Sequence, residues 1–257
     1  MPLPPNDHRF MPANAADSRS PCPALNALAN HGYLPREGRD LGLIELVRAI
    51  RHVYNFSLPL ALLVALAGVV LCGHGLLPRR VHLEELAAHN VIEHDASFAH
   101  ADAPPGSRRA PVTVDAPLLR SLLRHAHTHL GMGLCELARA RFERLAQAPR
   151  PLDLLHAHIS FAEAALIWLT HKGAGSQGML LVDVDDPAVM HNVAPVHALQ
   201  QWLGEDRLPD AWQKGGEWRR PESQVGLLET IKVSHAVHME VERLRLESLG
   251  NSPLKKS

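Results

Sequence analysis

Cysteine is scarce in this sequence. Three residues in 257 form an odd set too sparse for a disulfide scaffold, so each is a buried apolar group, a reactive thiol or a metal ligand. Charge of one sign is also missing: Lys+Arg 26 against Asp+Glu 27 leaves a formal net charge of -1 and no global basic field to hold nucleic acid. Phe, Trp and Tyr together make up 4% of the chain, which argues against an aromatic-lined channel. No apolar run reaches the roughly 18 to 20 residues that span a bilayer. The longest, Leu58 to Cys72 with Pro59 near its start, reads as a core helix rather than a membrane span. Met1 to Ser20 holds prolines but no apolar core of a signal peptide, which favours an intracellular protein over a secreted one. The sequon Asn55-Phe56-Ser57 is too short a pattern to reverse that. Gly-x-Ser-x-Gly, His-Glu-x-x-His and Gly-x-Gly-x-x-Gly are absent, removing common routes to a hydrolase, a zinc protease or a dinucleotide enzyme.

What is present is helical periodicity. Apolar spacing and stop signals predict helices over Ala24 to Asn30, Leu41 to Val53, Leu58 to Cys72, His82 to His89 and Pro117 to Leu130. Further helices are predicted over Leu134 to Gln147, Leu152 to Thr170, Pro195 to Leu203 and Gly226 to Leu249. Only Met179 to Asp185 invites a strand, and residues 101 to 115, rich in Pro and Gly, read as a long surface loop. With no repeat of fixed period, the fold class expected is all-α: a single helical domain over 21–249, a Pro-rich extension over 1–20 and a tail over 250–257.

Three clusters carry chemistry. Cys22 lies in Pro21-Cys22-Pro23, and Pro23 suits the first helical position, so Cys22 becomes the cap and the free N–H groups of the first turn point at its sulfur. That favours a thiolate, although an inert loop thiol fits the same residues. Glu93 and Ser97 in Glu93-His94-Asp95-Ala96-Ser97 are hard oxygen ligands one turn apart, suited to Mg²⁺, or else they mark a solvated helix end. Glu163 is a lone carboxylate among alanines in an apolar helix, either a surface residue or an acid–base with space beside it. His125 and His129, one turn apart, and His156 and His158 are weaker metal candidates, while Cys72 and Cys135 read as small core residues.

Taken in order, these clusters resemble the haem-thiolate peroxidase family of chloroperoxidases and unspecific peroxygenases. The matching stretches run from Pro21-Cys22-Pro23 to Pro35-Arg36, from His89 through Glu93-His94-Asp95-Ala96-Ser97, and over Glu163-Ala164-Ala165. Weaker echoes lie in Glu205-Asp206-Arg207-Leu208-Pro209 and Trp218-Arg219-Arg220-Pro221. The resemblance implies haem b, with Cys22 as the axial ligand to its iron and the backbone N–H groups of Ala24 and Leu25 directed at the sulfur. It implies Mg²⁺ or Mn²⁺ beside a haem propionate, held by Glu93, Ser97 and the carbonyl of His94. Glu163 becomes the acid–base, paired with the His94 side chain as in the short peroxygenases, where the long ones use an arginine. Hydrogen peroxide and small apolar organic molecules are the implied substrates, and helical spacing nominates Ile159, Leu166 and Ile167 for an aliphatic wall. Two features depart from the family: Ala162 stands where Gly often precedes the glutamate, and no cysteine follows Cys135, so any homodimer lacks a disulfide link. Two other readings compete. One is a haem-binding protein of the same fold with little turnover, and the other is a non-haem protein with a histidine-bound metal.

Overall fold

The computed structural model describes residues 8–126, 131–172, 193–214, 217–218 and 223–250. Eight α-helices dominate the described residues: α1 Pro23–Asn30, α2 Leu43–Tyr54, α3 Leu58–Ala67, α4 Ala116–Leu123, α5 Leu134–Gln147, α6 Leu154–His171, α7 Val196–Leu199 and α8 Leu227–Gly250. The protein is all-α in class. Three antiparallel pairs of two-residue strands tie loops together: β1 Leu41–Gly42 with β2 Arg80–Val81, β3 Gly131–Met132 with β4 Ala194–Pro195, and β5 Gln213–Lys214 with β6 Glu217–Trp218.

Local chemistry sets the helix ends. The Asp115 carboxylate accepts the Leu118 N–H at 2.9 Å ahead of α4, and that of Asp153 accepts the His156 N–H at 2.9 Å ahead of α6. In α2, Leu46, Val47, Ile50 and Val53 form one buried stripe, and the helix stops at Asn55, which turns left-handed at φ 54°. Helices α5, α6 and α8 pack against one another, and α2 and α3 form a hairpin with α1 lying against α2. The long α8 commits little to the core, burying chiefly Thr230, Val237 and Val241.

Several expectations need correction. The run from Leu58 to Cys72 is not one core helix: α3 gives way to a π-helical turn at Gly68–Cys72, and only one side of it is buried. His82 to His89 forms a short 3₁₀ turn, Leu83–Ala87. Pro195 to Leu203 splits into α7 and a π-helical turn, Gln200–Gly204. Cys72 is half-buried and packs against the edge of the core, whereas Cys135 is exposed and is not a core residue. The candidate strand Met179 to Asp185 and His129 lie outside the described residues.

The segment 1–20 is not a loose extension from His8 onward. The Met11 N–H bonds to Asn30 O at 2.9 Å and the Ser18 N–H to Glu37 O at 2.8 Å, while Ser18 and Ser20 are buried. Gly38 makes this docking possible: it sits at φ 66°, and a Cβ there would fall 2.2 Å from the Ser18 carbonyl oxygen.

His31 and His171 are buried, and burial pulls each pKa down to about 4. A histidine depressed in the fold contributes stability that is complete above its unfolded value, near 6.5, and lost as pH falls towards 4. Asp206, pushed up to about 6 by burial, acts in the opposite sense, losing its contribution as pH rises through that value. The denaturation midpoint is therefore expected to fall between pH 6.5 and 4, and to fall less in His171→Phe. Equal slopes in the two proteins would show that His171 does not carry the acid sensitivity.

Candidate active site

Cys22 occupies the cap of α1 with extended backbone, φ -93° and ψ 105°, and Pro23 opens the first turn. Burial pushes its thiol up to about 11, outweighing the Leu25 and Ala24 N–H groups that face the sulfur and pull the other way. The chain leading to the cysteine is held rigidly. Asn26 accepts the Ser20 N–H at 2.9 Å and donates to the Ser20 carbonyl at 2.8 Å, and the Cys22 N–H reaches Ser20 Oγ at 3.2 Å. Asn26 also donates to Asp206 Oδ2 at 3.1 Å, and Asn30 to the Asp206 carbonyl at 3.0 Å. From α2, the Tyr54 hydroxyl donates to the Ala24 carbonyl at 2.7 Å. Asp206 was visible in the sequence only as part of a weak echo, and the structure makes it the distant anchor of the cysteine loop.

Glu163 projects from the middle of α6, its side chain 46% exposed. Two cations or potential cations approach the same oxygen: His94 Nε2 at 3.6 Å and Arg141 Nη2 at 3.2 Å from Oε2. His94 is buried; its Nδ1 lies 2.6 Å from the Asp95 carbonyl, to which it donates, and its Nε2 faces Glu163. Arg141, on α5, is wholly buried. It donates to the Ala96 carbonyl at 2.7 Å and lies 3.8 Å over the Phe98 ring, and burial lowers its pKa to about 10 while Glu163 draws it back up. The negative charge of Glu163 adds, after burial, to the rise of the Cys22 thiol.

The loop between them is fastened by α5. Arg144 donates to the Ser97 carbonyl at 2.8 Å and to Asp102 at 2.5 Å, and Asp102 in turn accepts the Ala96 N–H at 2.7 Å. Glu93 is held by His89 Nδ1 at 2.9 Å, and burial raises its pKa, with Asp95 adding to the rise. Ser97 Oγ accepts the N–H groups of His100 and Ala99 at 3.3 and 3.4 Å. The Nε2 atoms of His94, His100 and His156 are buried without a hydrogen-bond partner among the described residues, which is the condition of polar atoms that await a ligand or water.

Of the three residues nominated for a wall, Ile159 and Leu166 are half-buried on the Glu163 face of α6, but Ile167 is 5% exposed and belongs to the core. The histidine alternative changes place. His125 pairs with Glu143 at 3.1 Å and His156 with Asp153 at 2.7 Å, whereas the described group that could hold a metal is His74, His82 and Glu85. In that group Glu85 already accepts from His74 Nδ1 and from the His82 N–H.

The family model described as "Peroxidase, family 2" matches residues 8–217, and the chain belongs to that family. It is 36% identical over 122 residues to the aromatic peroxidase fscJ of Fusarium equiseti, covering 37% of this chain and 27% of that protein. To the chloroperoxidase of Leptoxyphium fumago it is 39% identical over 109 residues, covering 38% of this chain and 28% of that protein. An aromatic peroxygenase of Coprinellus radians is 45% identical over 51 residues, covering 20% of this chain and 19% of that one. The chain thus spans less than a third of the length of the curated relatives it matches.

Removing Arg141 tests the geometry. Arg141→Leu leaves the Ala96 carbonyl unpaired and Glu163 with His94 alone, and is expected to destabilise the fold by about 2 kcal/mol, the range for a buried acceptor left without its donor. A denaturant titration unchanged from the parent would show that the guanidinium does not hold the loop.

Proposed function

We propose that the chain is a hydrogen peroxide-dependent haem-thiolate peroxygenase or peroxidase acting on small apolar organic molecules. One observation carries the reading: in a chain of this family, Cys22 caps a helix with N–H groups facing its sulfur, and Glu163 on another helix is held by the buried Arg141. The donor set suits haem b, with Cys22 as a soft sulfur ligand to iron and unpartnered ring nitrogens at His94 and His100 on the carboxylate side. Such a haem, when bound, supplies the iron on which peroxide is cleaved.

The residues of this chain do the rest. Cys22 would hold the iron as a thiolate, and the N–H groups of Leu25 and Ala24 would stabilise its negative charge. Glu163 takes a proton from one peroxide oxygen and returns it to the other. Arg141 fixes the carboxylate, with His94 Nε2 facing the same oxygen, because a group that moves a proton twice must stay aimed at one place. Ile159 and Leu166 offer an aliphatic border, which suits apolar substrates. Glu93, Ser97 and the His94 carbonyl would supply an oxygen set for Mg²⁺ or Mn²⁺, a reading supported by the half-buried Glu93 carboxyl, which burial and then the neighbouring Asp95 push up. A haem carrier has no use for an acid–base held by two partners, which favours an enzyme.

The absorption spectrum of the ferric and the dithionite-reduced, carbon monoxide-bound protein tests the ligand. A long-wavelength Soret band typical of thiolate is expected for the parent and is lost in Cys22→Ala, and a parent that takes up no haem would overturn the proposal. Glu163→Ala is expected to keep the band while peroxide cleavage slows by about 10²-fold or more. A wild-type rate in that variant would remove Glu163 from the mechanism. Metal analysis is expected to find Mg²⁺ or Mn²⁺ in the parent and little in Glu93→Ala, and equal content in both would remove Glu93 as a ligand.

A further inference from the structure

The hairpin of α2 and α3 carries a surface that the chemistry of the site does not use. Among the described residues, half of the exposed large apolar side chains fall between Leu58 and Leu77, nine of eighteen. They include Leu63, Leu66, Val70 and Leu71 on the outer side of α3 and its π-helical turn, and Leu76 and Leu77 at the tip of the following loop, 93% and 89% exposed. A helix apolar on every face belongs in a core or in a lipid environment. In this fold only one stripe of α3, including Leu60, Ala61 and Ala65, meets the core. Patches of this extent mark contact surfaces rather than scattered exposure.

Charge and composition say what the partner is. From Leu46 to Leu83 the chain has four arginines, Arg48, Arg51, Arg79 and Arg80, and no carboxylate, although its overall balance is near neutral. Neighbouring carboxylates are each engaged: Glu45 with the Gly42 N–H at the start of α2, Asp40 with Arg80, Glu84 with Arg39 and Glu85 with His74. Arg48 and Arg51 extend one exposed stripe of α2 begun by Ile44. Arg79 caps the π-helical turn through the carbonyls of Val69 and Gly73 and stays at the edge of the apolar face. The face itself is purely aliphatic, without the Tyr, Trp or Met that enrich protein interfaces. No described helix is long and apolar enough to cross a membrane, and α3 is about 15 Å long. An aliphatic face of that length, with Arg79 at its edge and Arg48 and Arg51 exposed on the partner helix of the hairpin, suits a surface it enters shallowly.

We propose that this face docks the protein on anionic lipid surfaces, with the leucines of α3 and the 76–77 loop entering the acyl boundary and the arginines meeting the headgroups. The inference is independent of the haem chemistry, since its readout is binding.

Co-sedimentation of the full chain with vesicles tests it. Vesicles of phosphatidylcholine containing about a third phosphatidylserine are expected to carry the protein down, and phosphatidylcholine alone or high salt to carry down several-fold less. Leu71→Glu/Leu76→Glu, both at exposed positions and so without cost to the core, is expected to reduce binding about tenfold or more. Arg48→Gln/Arg51→Gln is expected to reduce binding to the anionic vesicles about fivefold for each arginine and to leave neutral vesicles unaffected. A parent that stays in the supernatant overturns the proposal, as does a leucine double variant that binds like the parent. Equal binding to neutral vesicles overturns the role of the arginines. A parent that is dimeric by sedimentation velocity, ignores vesicles and becomes monomeric in the leucine double variant makes the face a self-association surface and overturns the lipid assignment.

Discussion

The left-handed backbone at Ala96 is the constraint on which the carboxylate side of the site depends. A residue with a Cβ at φ 67° sits at a cost of about 1–2 kcal/mol and persists only where its surroundings fix it from several sides. Here the surroundings are two arginines of one helix and an aspartate. Asp102 takes the Ala96 N–H, Arg141 takes its carbonyl, and Arg144 holds both Asp102 and the neighbouring Ser97 carbonyl. Arg141 then reaches past the loop to Glu163. One helix face thus sets the strained turn, the position of His94 beside it and the direction of the carboxylate. Disturbance of any of these is transmitted to the other two through the buried guanidinium.

The cysteine side uses a different device. Neutral amides do most of the work, with Asn26 and Asn30 joining the start of α1 to Asp206, far along the chain. Burial raises the pKa of both Asp206 and Cys22, and the charge of Asp206 adds to the rise at Cys22. A permanent cation next to the sulfur would have favoured the thiolate in the free protein. The amide network fixes geometry and leaves the ionisation of the sulfur to whatever binds it.

Much of this was legible from spacing. A proline directly after Cys22, a carboxylate capping α4 and another capping α6 are local signals, and local signals place helix starts well. Arg141 was not read, because Ala-Arg-Ala-Arg in an amphipathic helix looks like a solvated face. Its signal was positional: with Leu137 and Ala138 it shares the buried stripe of α5, where a charge demands a partner. The stretch from Leu58 to Cys72 failed in the opposite way. Apolar composition predicts burial, but burial also requires a second surface, and the fold provides one on a single side only.

A thiol whose pKa is pushed up to about 11 is almost entirely protonated near neutrality. Thiols react with oxidants as thiolates, and the thiol form is slow to climb towards sulfenic and sulfinic acids. Burial at the cap of α1 thus holds this sulfur towards its less reactive form, against the pull of the Ala24 and Leu25 N–H groups.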